Sequence, residues 1–111
     1  MKEFLLLFRG DYKTKASPDE MQTYLQQWIN WIAGIEEQNK LADRGNALES
    51  SGKLLKSGGL ISEGPYTETK ESIMSYTLII AASIEEAATL CQECPFLSNG
   101  DSVEIREIVK L

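Results

Sequence analysis

Nine residues concentrate the chemistry of this chain: Glu63-Gly64-Pro65-Tyr66-Thr67-Glu68-Thr69-Lys70-Glu71. Carboxylates, an ammonium, hydroxyls and a phenol follow one another around a Gly-Pro pair. Glycine permits an unusual backbone angle and proline fixes the next, so the pair predicts a rigid corner. Beyond it, an extended chain sends successive side chains to opposite sides. Glu68 and Lys70 then share one side, and Thr69 and Glu71 the other. Further along, Val103-Glu104-Ile105-Arg106 puts Glu104 and Arg106 on one face of a strand. Lys70 and Arg106 suit an anionic or carbonyl group. Glu63 or Glu68 suits proton transfer, which makes these two the catalytic candidates. Tyr66 and Tyr76 suit pocket walls, because a buried phenol needs a hydrogen-bond partner. The predicted ligand-binding set is Glu63, Tyr66, Glu68, Lys70, Tyr76 and Arg106. The same charges also suit a salt-bridge network that orders a loop without doing chemistry.

Absences narrow the field. The chain has no His, which removes Ser-His-Asp triads, Cys-His dyads and nearly all zinc sites. No metal and no cofactor are expected. Eleven basic against seventeen acidic residues give a net charge of -6. That disfavours nucleic acid and anionic membranes as partners. The apolar run Phe4-Leu5-Leu6-Leu7-Phe8 is too short to span a bilayer and lacks the features of a signal peptide. Two Cys fit a cytoplasmic location. Cys91-Gln92-Glu93-Cys94 has redox-pair spacing, but it falls at the C-terminal end of a predicted helix, where the dipole opposes a thiolate. Both Cys are predicted to be packing residues.

The elements that would hold these groups alternate in type. Lys2 to Arg9 predicts a central strand, apolar on both faces. Ser17-Pro18-Asp19-Glu20 predicts a helix start with a capping box. Met21, Tyr24, Leu25, Trp28, Ile32 and Ile35 form its apolar face, widened by Trp31, and the helix is expected to reach about Leu41. Trp28 and Trp31 fit a core at this spacing better than a ligand wall. Residues 42–59 are broken by glycines; short strands are expected near Ala47 to Glu49 and Lys53 to Lys56. A turn at Ser57-Gly58-Gly59 then leads into Leu60 to Glu63. Ser72 to Ala82 predicts a strand, with Tyr76, Leu78 and Ile80 on one face and Ile73, Thr77 and Ile79 toward the other. Ser83-Ile84-Glu85-Glu86 predicts a second capping box and a short helix, which Pro95 ends. Val103 to Val109 predicts the last strand.

The order is βαββαβ with a small extra hairpin. That is an α+β, ferredoxin-like pattern in one domain over residues 1–111, with both helices on one sheet face. The other face then carries large apolar residues with no layer above it. A second copy packed face to face is the simplest cover, so a homodimer is expected.

Glu63 to Glu71 resembles the DGPF signature of the YCII-related (YciI-like) family, roughly D-G-P-F-x-E-T-K-E. Glu63 replaces Asp and Tyr66 replaces Phe. The likeness extends along the chain. Gly45 and Leu48 match a Gly-x-x-Leu after the first helix. Ser83 to Pro95 matches a short Ala-rich helix ending in Cys-Pro, and Val103 to Arg106 matches a closing V-E-V-R. The resemblance implies ferredoxin-like subunits paired into a dimeric α+β barrel. It also implies a regulatory or stress setting for some members, and relatives of the barrel that are small monooxygenases, isomerases and lyases. Narrower YciI-type members look as though they use a His-Asp pair. That pair does not carry over, since this chain lacks His and Cys94 stands where the Asp would be.

Two functions are therefore expected to compete. One is a dimeric small-molecule-binding protein with acid-base chemistry of the isomerase or lyase kind, built around the EGPYTETKE motif. The other is a non-catalytic regulatory or protein-interaction module associated with transcription or stress response. It would show an apolar patch outside the dimer interface.

Overall fold

The computed structural model describes residues 1–10, 17–59, 61–64, 72–98 and 100–111, with 61–64 described by their backbone. Its elements are β1 (Lys2–Gly10), α1 (Pro18–Glu37), β2 (Leu41–Ala47), β3 (Gly52–Leu55), β4 (Ile61–Gly64), β5 (Ser72–Ala81), α2 (Ile84–Cys91), α3 (Pro95–Ser98) and β6 (Ser102–Glu107). Four strands form one sheet in the order β2-β5-β1-β6, while β3 and β4 form a separate hairpin. The pairings within both sheets are antiparallel. With the hairpin set aside, this is the ferredoxin-like α+β arrangement. Among the described residues no helix is long and apolar enough to cross a membrane.

Strand β1 is central, as its composition predicts, but its two faces differ. Phe4, Leu6 and Phe8 are fully buried, whereas Leu5 and Leu7 are only half-buried. The inner face meets the helices. Ile35, Ala87, Cys91, Cys94 and Phe96 join Phe4, Leu6, Phe8, Ile79 and Ala81 in one core. Phe8 stacks on Phe96 with centroids 4.8 Å apart, and Trp28 meets Phe8 edge-on at 4.8 Å. Tyr24 and Trp28 also meet Phe96 edge-on. Such pairs add about 0.5–1.5 kcal/mol each beyond burial, so both tryptophans belong to the core. Trp31 Nε1 donates to the Leu90 carbonyl at 3.0 Å, tying α1 to α2.

Helix α1 starts where its sequence says. Ser17 Oγ accepts from Glu20 N, and the Glu20 carboxylate accepts from Ser17 N, closing the capping box. It ends four residues before the expected Leu41. Asn39 takes a left-handed φ of 58°. Its N–H donates to the Glu36 carbonyl and that of Lys40 to the Ile35 carbonyl. That pair of bonds is a Schellman stop, with Asn in the place glycine usually holds. The apolar face is also narrower than expected. Met21 and Leu25 are 60% and 54% exposed, while Ile32 and Ile35 are buried. The N-terminal half of α1 meets the core only through the Tyr24 and Trp28 side of the helix.

Strand β2 begins at the expected helix end and stops at Ala47, so the short strand expected near Ala47 to Glu49 lies earlier in the chain. Its ladder with β5 is interrupted on both sides of Asp43. Asp43 Oδ1 accepts from Gly45 N at 2.7 Å, and the buried Thr77 hydroxyl donates to the Arg44 carbonyl. These bonds replace the missing ladder. Gly45 has φ +72°, and a Cβ there would lie on the Tyr76 carbonyl. No other residue fits without moving one strand.

A bulge shifts the β1–β5 register at Phe8/Arg9, so that Ser75 faces Phe8 and Ile73 faces Arg9. Met74 is the extra residue. Ile73 therefore lies on the outer face with Leu78 and Ile80, and not on the inner face as alternation alone predicts. At α2, Ser83 Oγ accepts from Glu86 N. The Glu86 carboxylate accepts instead from Ala82 N and pairs with Lys40 at 3.1 Å. Only half of the expected capping box forms. Helix α2 stops at Cys91 with Gln92 as its C-cap, short of the expected end at Pro95, which opens α3 instead.

Candidate functional site

The outer sheet face gathers the described polar candidates around an apolar floor. In the β1–β6 register, Leu7 faces Glu104 and Leu5 faces Arg106. On the other side of β1, Leu7 faces Tyr76 and Leu5 faces Leu78. Directly opposed residues share a face, so Tyr76, Leu7 and Glu104 form one line across three strands. Leu78, Leu5 and Arg106 form the next. Strand spacing puts Tyr76 and Arg106 roughly 12 Å apart through the backbone. Val103 and Ile105 point the other way and pack on the core, as their alternation predicts.

Glu104 organises the charged end. Its Oε1 accepts from Arg9 Nε at 3.0 Å and pairs with Arg9 Nη2 at 2.9 Å. Its Oε2 accepts from Arg106 Nη1 at 3.2 Å. The Arg106 hydrogen bond, followed by that of Arg9, holds the Glu104 carboxyl below the usual Glu range. Such a group stays ionised and is a weak base, so it orients guanidinium groups rather than moving protons. Arg106 keeps 69% of its side chain exposed and has donors left over for a carboxylate, enolate or carbonyl. At the opposite end, the Tyr76 hydroxyl accepts from Asn46 Nδ2 at 2.9 Å. Its own proton remains available to a ligand. Asn46 sits there because the irregular β2 ladder pairs it with Tyr76, directly after Gly45.

The predicted residues are distributed unevenly. Tyr76 and Arg106 come together on this face. Glu63 lies in β4, opposite Lys53 in the hairpin ladder, with no pairing to the four-stranded sheet. Tyr66, Glu68 and Lys70 lie outside the described residues. Sequence reasoning missed Arg9 and Asn46, and it noted Glu104 only as a neighbour. Arg9 carried a usable signal: two residues after Leu7, it continues the same face of β1. Asn46 carried none, because its place depends on the bulges of β2.

The cysteines lie far from this chemistry. Cys91 and Cys94 are free and buried. Burial, then the neighbouring Cys94, pushes the Cys91 thiol up to about 12. Burial pushes Cys94 up to about 11, against the Phe96 and Leu97 N–H groups. Neither is a nucleophile near neutral pH. Among the described residues no group of three or more His, Cys, Asp or Glu could hold a metal ion.

No curated protein matches the chain significantly. Among solved structures it is similar to the 5-chloro-2-hydroxyhydroquinone dehydrochlorinase (TftG) from Burkholderia phenoliruptrix AC1100, in complex with 2,5-dihydroxybenzoquinone. That match has 19% identity and a TM-score of 0.47, and covers 98% of this chain and 95% of that chain. The model of the YCII-related domain matches residues 12–111, and the chain belongs to that family.

Proposed function

We propose that the protein is a homodimer that binds a small molecule over the outer face of its sheet. The observation that carries this reading is the placement of Tyr76 and Arg106 at two ends of one apolar floor, with Glu104 and Arg9 fixing the guanidinium end. A ligand with a carboxylate or carbonyl at one end, an apolar ring and a hydroxyl or carbonyl at the other satisfies both groups. Half-buried Leu5, Leu7, Leu78 and Ile80 favour a second copy as the cover, since one chain leaves this face in water. Residues of the DGPF-type motif, Tyr66, Glu68 and Lys70, complete the pocket in this reading, and Glu63 or Glu68 supplies any proton transfer. Isomerisation or elimination is the chemistry such a site would support. The two free cysteines favour a cytoplasmic setting.

A thermal-shift screen of aromatic carboxylates and cyclic ketones tests the binding claim. The expected result is a compound that raises the melting temperature of the wild type and raises that of Arg106→Ala much less. If every stabilising compound acts equally on both proteins, Arg106 is not a ligand group and this reading fails.

A further inference from the structure

The β3–β4 hairpin has no seat on its own chain. Residues 46–59 are exposed except for half-buried Leu54, and Leu55 in β3 is 72% exposed. Among the described residues neither strand joins the four-stranded sheet or packs closely on a helix. The turn is nonetheless well made. Gly59 N donates to the Lys56 carbonyl at 3.1 Å, Gly58 and Gly59 hold positive φ, and the space beyond both is open. A two-stranded hairpin alone in water is marginally stable, so this one calls for cover.

The dimensions of the molecule say where the hairpin lies. The Cα atoms span 44 × 43 × 18 Å. The short axis holds one sheet and one layer of helices, about 10 Å apart between mid-planes. A hairpin folded over the outer face would be a third layer and add roughly 10 Å more. It projects sideways instead, and the radius of gyration, 15.3 Å, exceeds the roughly 13 Å of a compact chain this long. Strand β2 ends at Ala47, opposite Ser75, and β5 starts at Ser72, opposite Gly10. The arm therefore leaves from the end of the sheet that holds Arg9. Each of its strands has four residues, a reach of roughly 14 Å, which matches the width of four strands spaced about 4.8 Å apart.

One chain thus leaves two apolar features open to water: Leu55 on the arm, and the floor of Leu5, Leu7, Leu78 and Ile80. We propose that a second copy covers both by exchange. Each arm reaches across to the partner, packs Leu55 on the floor around Leu7 and closes the ligand site there, so that neither site is complete in a single chain. A twofold pair makes this contact twice, as exchange of an identical element requires. In the ladder Leu55 is opposite Ile61 and Lys53 opposite Glu63, so an apolar pair and an oppositely charged pair share one side of the arm. The inference rests on the face-to-face reading above and adds what the partner contributes to the site.

Sedimentation equilibrium of the full chain and three charge-neutral variants tests this. Leu55→Gln changes the arm, Leu7→Gln the floor, and Leu25→Gln, 54% exposed on α1, a surface outside both. The expected result is a roughly tenfold or larger rise in the dimer dissociation constant for Leu55→Gln and Leu7→Gln, and less than about a twofold change for Leu25→Gln. Leu55→Gln combined with Leu7→Gln should lose less than the product of the single effects, because the two side chains meet. A full product would place arm and floor in separate contacts and overturn the proposal, as would equal weakening by all three single variants. Weakening by Leu7→Gln but not by Leu55→Gln would overturn the arm and leave the face-to-face pair standing. Weakening by Leu55→Gln alone would seat the arm elsewhere on the partner and overturn it as well. A monomeric wild type would overturn both readings.

Discussion

Arg9 Nη2 stands 2.9 Å from Glu104 Oε1, joining the central strand to the edge strand β6 on the open side of the sheet. The contact lies on a diagonal, because Arg9 faces Ser102 and Glu104 faces Leu7 in the register. It turns an apolar sheet face into a place where a guanidinium is held but not used up. Glu104 satisfies one Arg106 nitrogen and leaves the rest of that side chain to solvent or ligand.

This arrangement has a pH signature. Glu104 is held below its ordinary value of 4.5 by Arg106 and then Arg9. A carboxyl depressed by folding stabilises the fold when ionised. Its contribution is complete above 4.5 and is lost as pH falls through the lowered folded value. Urea unfolding of the wild type and of Glu104→Gln should therefore differ near neutral pH and converge in acid. A difference that is constant across that range would mean the contact does not depend on the charge of Glu104.

Two glycines should respond in opposite directions. Gly45→Ala puts a methyl group on the Tyr76 carbonyl at a positive φ and should cost about 2 kcal/mol or more. Gly34→Ala meets nothing within 4 Å, and relief of helix entropy should stabilise by about 0.5–1 kcal/mol. Urea midpoints measure both. Equal effects would remove the strand contact as the reason for glycine at 45.

Helix α1 should divide at its middle. Ile35→Ala, at a site 2% exposed, should cost about 2–5 kcal/mol. Leu25→Ser, at a site 54% exposed, should change stability by no more than about 0.5 kcal/mol. A large loss at Leu25 would show that the N-terminal half of α1 is covered in solution.

The cysteines should be silent until the protein unfolds. Raised pKa values and burial keep both thiols protonated in mildly alkaline buffer. Iodoacetamide should modify neither in the native protein and both in urea, as mass spectrometry would record. Rapid native labelling of either residue would contradict the packing role.

What the sequence disclosed, and what it hid, follow from the range of the interactions involved. Helix starts were legible because Ser17 and Glu20 meet within one turn. The faces of β6 were legible because Glu104 and Arg106 alternate with Val103 and Ile105. Strand β2 was not, since Asp43-Arg44-Gly45-Asn46 has turn composition and is held as strand only by Thr77 and β5. The face of Ile73 was hidden for a related reason. A bulge is a property of two strands, and only the pairing with Phe8 and Arg9 reverses the alternation. Arg106 and Tyr76 were visible in composition as candidates, but Arg9, which shares Glu104 with Arg106, required the register.

Native mass spectrometry of the freshly purified protein tests the central claim most directly. The account predicts a two-chain mass carrying extra mass that disappears on denaturation, as expected of a ligand enclosed between facing sheets. A single chain of bare mass would contradict it, because the outer face would then stand in water with nothing bound to it.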